Sequence, residues 1–129
     1  MADKTEVSAK VEIKNTFDKS LNSRLQTAMT KTIQDAINKS ADFKFVSKTS
    51  KGFMLTVTLQ SLTKKDSPAS LEGKIAISGV YMGGTAKAFN ASAGGKATAT
   101  DADTAEDLVT QLLEDLMPKM IKTMQGLTP

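Results

Sequence analysis

From Val7 to Ile13, apolar residues (Val7, Ala9, Val11, Ile13) alternate with polar ones (Ser8, Lys10, Glu12). A period of two sends the apolar side chains to one side of a strand and leaves the other side to water. The period then changes. Phe17, Leu21, Leu25, Ala28, Met29, Ile33, Ala36 and Ile37 recur three or four positions apart, which predicts a long helix with one apolar stripe. Asn15 or Thr16 is the expected cap, with Asp18 in the first turn, where the helix dipole favours an acid.

Phe43 and Phe45, followed by Phe53, Leu55, Val57 and Leu59, must share a face if they are to build a core. A hairpin through a three-residue loop, Ser50-Lys51-Gly52, satisfies this by pairing Thr49 with Phe53, Phe45 with Val57 and Phe43 with Leu59. A two-residue loop would set Lys48 against Leu55. Gly52 then suits the left-handed position of such a loop. After a loop from Thr63 to Ser70, a strand from about Leu71 to Tyr81 turns back through Met82-Gly83-Gly84. It pairs Tyr81 with Thr85, Ile77 with Phe89 and Ile75 with Ala91, and Gly79 is a candidate bulge. Gly94-Gly95 reads as the start of a flexible link.

A second helical stripe closes the chain: Ala105, Leu108, Val109, Leu112, Leu113, Leu116, Met117, Met120, Ile121 and Met124. Asp103 with Glu106 three residues on resembles a capping box, Pro118 should kink or split the helix, and Gly126 is a natural stop. The order is β–α–β–β–β–β–α. It predicts an α+β two-layer sandwich, with two long helices on one face of a mostly antiparallel sheet and water on the other. Residues 1–129 read as one domain, with an ordered core from about 7 to 125.

Composition narrows the chemistry. The 129 residues include no Cys and no His, which removes disulfides, thiol nucleophiles, imidazole acid–base catalysis and the usual zinc and copper sites. No cofactor is expected. No apolar run is long enough to span a bilayer, and the first residues lack a signal-peptide core. The net charge of +3 is uneven: residues 1–65 hold 12 basic against 6 acidic groups, and residues 66–129 hold 5 against 8. That asymmetry suits an electrostatic partner without naming one.

Ser61-Leu62-Thr63-Lys64 has the spacing of a penicillin-recognising serine centre but ends a strand and lacks companions. Gly94-Gly95-Lys96 with Thr98 lacks the earlier glycine of a phosphate loop. Asp101, Asp103, Glu106 and Asp107 lack the distal glutamate of a calcium loop. Two candidate surfaces remain. Lys44 and Lys48 on the open sheet face, with Lys51, Lys64 and Lys65 in loops, form a candidate basic face. It has no aromatic platform for nucleobases, and keeping the sheet soluble is the simpler role. Met117, Met120 and Met124 form a candidate partner or dimer surface, with core packing as the alternative.

The helix ending in Asp42-Phe43-Lys44-Phe45-Val46-Ser47, the long strand Phe53-Met54-Leu55-Thr56-Val57-Thr58-Leu59, and the further strands and last helix resemble a small periplasmic module. That module occurs in the TolB amino-terminal domain, in CsgG-like proteins and in lipoproteins that activate penicillin-binding proteins. The resemblance runs from about Val7 to Met124. It departs at the first strand, which is strongly apolar in the family, whereas Val7–Ile13 alternates and reads as an edge. It implies protein–protein contact in the bacterial envelope without catalysis, and carries over no functional residue. The chain also looks like uncharacterised secreted or periplasmic proteins of Gram-negative bacteria, some known as antigens. The leading expectation is a non-catalytic periplasmic or secreted module that binds another protein or itself. A cytoplasmic place, a small apolar or anionic ligand, and nucleic acid held by the lysines (disfavoured) are the alternatives.

Overall fold

The computed structural model describes residues 4–15, 17–49, 51–66, 69–82 and 87–127. Five strands form one sheet: β1 (Thr5–Ile13), β2 (Phe43–Phe45), β3 (Phe53–Asp66), β4 (Ala69–Tyr81) and β5 (Lys87–Ala97), in the order β2-β1-β3-β4-β5. Two helices, α1 (Asn22–Lys39) and α2 (Ala102–Leu127), cover one face, so the α+β sandwich expected from the pattern is what forms. The alternation in β1 has the predicted sense: Val7 is fully buried, while Lys10 stands in solvent.

β1 is not an edge strand. It lies between β2 and β3 and runs parallel to both, pairing Thr5 with Phe43 and Val7 with Phe45 on one side, and Val7 with Phe53 through Ile13 with Leu59 on the other. The expected hairpin from Phe43 to Leu59 is therefore absent. Two strands of equal direction cannot share a tight turn, so the chain leaves β2 and crosses β1 before entering β3. The crossing segment forms a strap over the open sheet face. Val46 N–H donates to the Val7 carbonyl (2.9 Å), Thr49 Oγ1 donates to Glu6 Oε1 (2.9 Å), and the strap shields Ser8, leaving it 7% exposed. Gly52 ends the strap where a Cβ would sit 1.9 Å from the Glu6 carbonyl oxygen. Its need for glycine comes from this close approach, not from a left-handed backbone.

The antiparallel part is longer than the pattern suggested. β3 and β4 pair all the way to Asp66 and Ala69, with a register irregularity between Leu59 and Ser61, so Lys64 and Lys65 are strand residues, not loop residues. β4 and β5 pair Tyr81 with Lys87, Gly79 with Phe89 and Ile77 with Ala91, two residues further along β5 than predicted. A shift of two keeps every residue on its face. Residues 83–86 of the intended turn lie outside the described residues. Gly79 is no bulge. The Phe89 ring lies over it, with Cζ 2.4 Å from where a Cβ would stand. Gly94 and Gly95 belong to β5, not to a link. Gly73 and Gly95 pair across β4 and β5 beneath Leu108 and Leu112, and their missing side chains let α2 come close to the sheet.

Aromatic rings from four positions meet on the helix side. Phe53 stacks on Tyr81 (4.6 Å between centroids) and meets Phe43 and Phe89 edge-on at 5.7 and 5.8 Å. Such pairs are each worth about 1 kcal/mol beyond area burial.

α1 begins later than its stripe. Asp18 caps a short 3-10 turn, Lys19–Leu21, by accepting from the Ser20 N–H (2.9 Å), and α1 follows. Buried Asn15 braces this entry, donating to the Asp18 carbonyl (2.7 Å) and accepting from Phe17 N–H (2.8 Å). Thr16 lies outside the described residues. α2 is capped by Asp101, whose carboxylate accepts from Thr104 N–H (3.2 Å) and its hydroxyl, so the Asp103 capping box is not the device used. Asp103 and Glu106 instead grip Arg24 of α1. α2 neither splits at Pro118 nor stops at Gly126, but runs through to Leu127. Among the described residues no helix is long and apolar enough to cross a membrane.

Candidate functional site

The two helices run side by side in the same direction. Their amino-terminal turns are joined by Arg24, which donates from Nε to Glu106 Oε1 at 2.9 Å and from Nη2 to Asp103. These two acids hold the guanidinium charged by raising its proton affinity, Glu106 more than Asp103. Towards the carboxyl-terminal ends a groove of about 790 Å3 opens between the helices.

Two stripes make its walls. Thr32, Asp35, Ala36 and Lys39 follow the three–four spacing along α1, and Glu114, Met117, Pro118, Ile121 and Gln125 do the same along α2. The loop Ser40-Ala41-Asp42 closes the end, where Gln125 Nε2 donates to Asp42 Oδ2 (2.9 Å). Apolar carbon from Ala36, Met117, Pro118 and Ile121 therefore lies among three carboxylates and one ammonium. Pro118, which stands in the wall, has no N–H to give to the Glu114 carbonyl four residues earlier. Carboxyl-terminal helix ends carry partial negative charge, and two of them point the same way here. The result is an acidic trough with an apolar floor.

The lysines do not form one surface. Lys44 and Lys51, with Lys4, Thr5, Glu6 and Tyr81, line a small pocket at the end of the sheet where β3 begins, and Lys48 lies nearby on the strap. Lys64 and Lys65 lie at the far end of β3, eleven or twelve residues on, roughly 35 Å away at the rise of a strand. There Lys65 and Lys96 flank Glu72 at 3.0 and 3.1 Å, hydrogen bonds that hold the Glu72 carboxyl below its ordinary range, Lys65 contributing most. Lys64 stands 3.9 Å from Asp66. The open face between the two ends is lined by Thr56, Thr58, Gln60, Ser78, Asn90 and Ser92 around Lys74.

Met117, Met120 and Met124 are 0–1% exposed and belong to the core of this chain, so they present no partner surface as a stripe. Only Met117 also reaches the groove. Ser61 and Lys64, three apart on β3, point to opposite faces and cannot act as a catalytic pair. Asp101 is engaged as a cap, Asp103 and Glu106 are partners of Arg24, and no group of three or more potential metal ligands converges among the described residues. Sequence reasoning missed the groove. Its one signal is Pro118 inside an apolar stripe, from which the sequence predicts a kink or a split.

No family model and no curated protein matches the chain. Solved structures do. The hypothetical protein CT253 from Chlamydia trachomatis superposes with a TM-score of 0.63 at 8% identity, over 96% of this chain and 97% of that one. PelC from Paraburkholderia phytofirmans, a dodecamer, gives 0.56 at 12% identity over 91% and 89%. A candidate lipoprotein from Caulobacter crescentus gives 0.53 at 11% identity over 92% and 93%. At these identities the likeness is one of fold. The specific resemblance to TolB, CsgG-like proteins or penicillin-binding-protein activators is not among these similarities; a fold shared with proteins of the lipoprotein kind is.

Proposed function

We propose that the chain is a non-catalytic protein-interaction module of the bacterial envelope, and that it holds a cationic, amphipathic polypeptide segment in the groove between α1 and α2. The groove's composition carries the reading. Asp35, Asp42 and Glu114 outnumber Lys39 around a floor of aliphatic carbon and a methionine. An aliphatic side chain fills such a floor while lysine or arginine reaches the rim. Carboxylates set around apolar carbon suit the holding of a cationic, amphipathic chain. The envelope setting is supported by the fold shared with the Caulobacter lipoprotein.

A peptide array probes this directly. Fifteen-residue peptides rich in lysine or arginine and leucine should bind, and acidic counterparts should not. Charge reversal in the double variant Asp35→Lys, Glu114→Lys should weaken the best peptide at least tenfold. Equal binding by the variant, or preference for acidic peptides, would discard the reading.

A further inference from the structure

The sheet has two edges, and they are built differently. β2 offers three residues with Lys44 in the middle, followed at once by the strap. β5 offers eleven residues, Lys87–Ala97, paired to β4 without a register break and, among the described residues, to no strand on its outer side. Exposed edges are normally blunted by charge, proline, a bulge or a covering segment, because their unpaired N–H and C=O groups template a further strand. From Ala88 to Gly95 the sequence is Ala-Phe-Asn-Ala-Ser-Ala-Gly-Gly, with none of these devices. Lysines stand only at the two ends, Lys87 and Lys96.

We propose that β5 pairs antiparallel with β5 of a second copy, about a two-fold axis through Ser92, to make a continuous ten-stranded sheet. The occupant follows from self-complementarity. With the axis at Ser92, residues whose numbers sum to 184 face each other, so Phe89 meets Gly95, Lys96 meets Ala88, Asn90 meets Gly94 and Ala91 meets Ala93. Each large residue faces a small one, and no two like charges oppose. A two-fold normal to the sheet keeps both helix layers on the same side, so neither copy must expose its core. An edge of about ten residues, some 34 Å long, covers roughly 400 Å2 per copy, which is the range of a weak, reversible dimer rather than an obligate one. The inference is independent of the groove, because α2 separates β5 from α1.

Ser92 tests it. The chain has no cysteine, and Ser92 is exposed on the open face, so Ser92→Cys places one thiol per copy, facing its counterpart across the axis. Under mild oxidation at about 100 μM, Ser92→Cys should convert mostly to a disulfide dimer. Ser78→Cys, exposed on the neighbouring strand β4, should not. Ser92→Lys sets two ammonium groups opposite each other and should raise the dimer Kd of the reduced protein about fivefold by sedimentation equilibrium. Circular dichroism checks that each variant is folded. A parent chain that stays monomeric at this concentration, or equal cross-linking through positions 92 and 78, overturns the proposal.

Discussion

Replacing Gly52 by alanine is the sharpest test of the strap that joins β2 to β3. The new methyl would stand 1.9 Å from the Glu6 carbonyl oxygen and 2.8 Å from the Glu6 carbonyl carbon. Ordinary contact needs about 3.5 Å, so strap and strand must part by more than about 1 Å. Both are backbone, and β1 is held on both sides by β2 and β3, so neither yields cheaply. Movement of Gly52 strains its carbonyl's bond from Met82 N–H (2.8 Å) and the Thr49–Glu6 hydrogen bond (2.9 Å). Two such bonds are worth about 2 kcal/mol net, and overpacking strain adds about 1 kcal/mol or more. A loss of about 3 kcal/mol is a large share of a domain's stability. In urea it should lower the unfolding midpoint by about 1.5–2 M. Gly126→Ala is the control: nothing lies within 4 Å of its added methyl in the last turn of α2, so the midpoint should stay close to the parent's. If Gly52→Ala unfolds at the parent's midpoint, the strap does not cross β1 as described.

Met120→Ala should cost about 2–5 kcal/mol in the same assay, because the side chain is 1% exposed within the core; a near-neutral result would return the methionine stripe to the surface. Stability should fall on acidification. Glu72, Asp101 and Asp18 are held below their ordinary range, Glu72 by Lys65 and then Lys96, Asp101 by Thr104 and Asp18 by Ser20. The folded chain therefore binds fewer protons than the unfolded one. The contribution is complete above about pH 4.5 and is lost as pH falls further, through the folded values. Urea midpoints measured from pH 6 to pH 3 should decline, and Glu72→Gln should flatten part of the slope; a midpoint that rises towards pH 3 would refute this. Arg24→Met should leave the core intact but allow faster amide exchange in the first turns of α2, since Asp103 and Glu106 lose the cation that ties them to α1.

The periodic features were legible because they report faces. Leu25, Met29, Ile33 and Ile37 on α1, and the stripe from Leu108 to Met124 on α2 except Ile121, are buried as their spacing requires. Position within the sheet was not legible in the same way. β1 alternates because one side of the whole sheet meets water, so a central strand here reads just like an edge. Phe43, Phe45, Phe53, Leu55, Val57 and Leu59 do share a face, but β2 and β3, adjacent in sequence, do not pair with each other. β1 takes the place between them instead. Parity also cannot distinguish connections that differ by two residues, so Phe89 against Ile77 and Phe89 against Gly79 satisfy it equally. The groove escaped because it is made between two helices at their carboxyl-terminal ends. Asp35, Asp42 and Glu114 look like solvated charges until the fold brings them around Ala36, Met117 and Ile121.

Backbone amide shifts of the isotope-labelled chain, followed by nuclear magnetic resonance as a lysine- and leucine-rich fifteen-residue peptide is added, test the assignment of the groove most directly. Perturbations confined to residues 32–42 and 114–125 are the expected pattern, saturating with one peptide per chain. Shifts centred on Thr56, Thr58, Ser78 and Asn90 of the open sheet, or on Lys44 and Lys51, would contradict it.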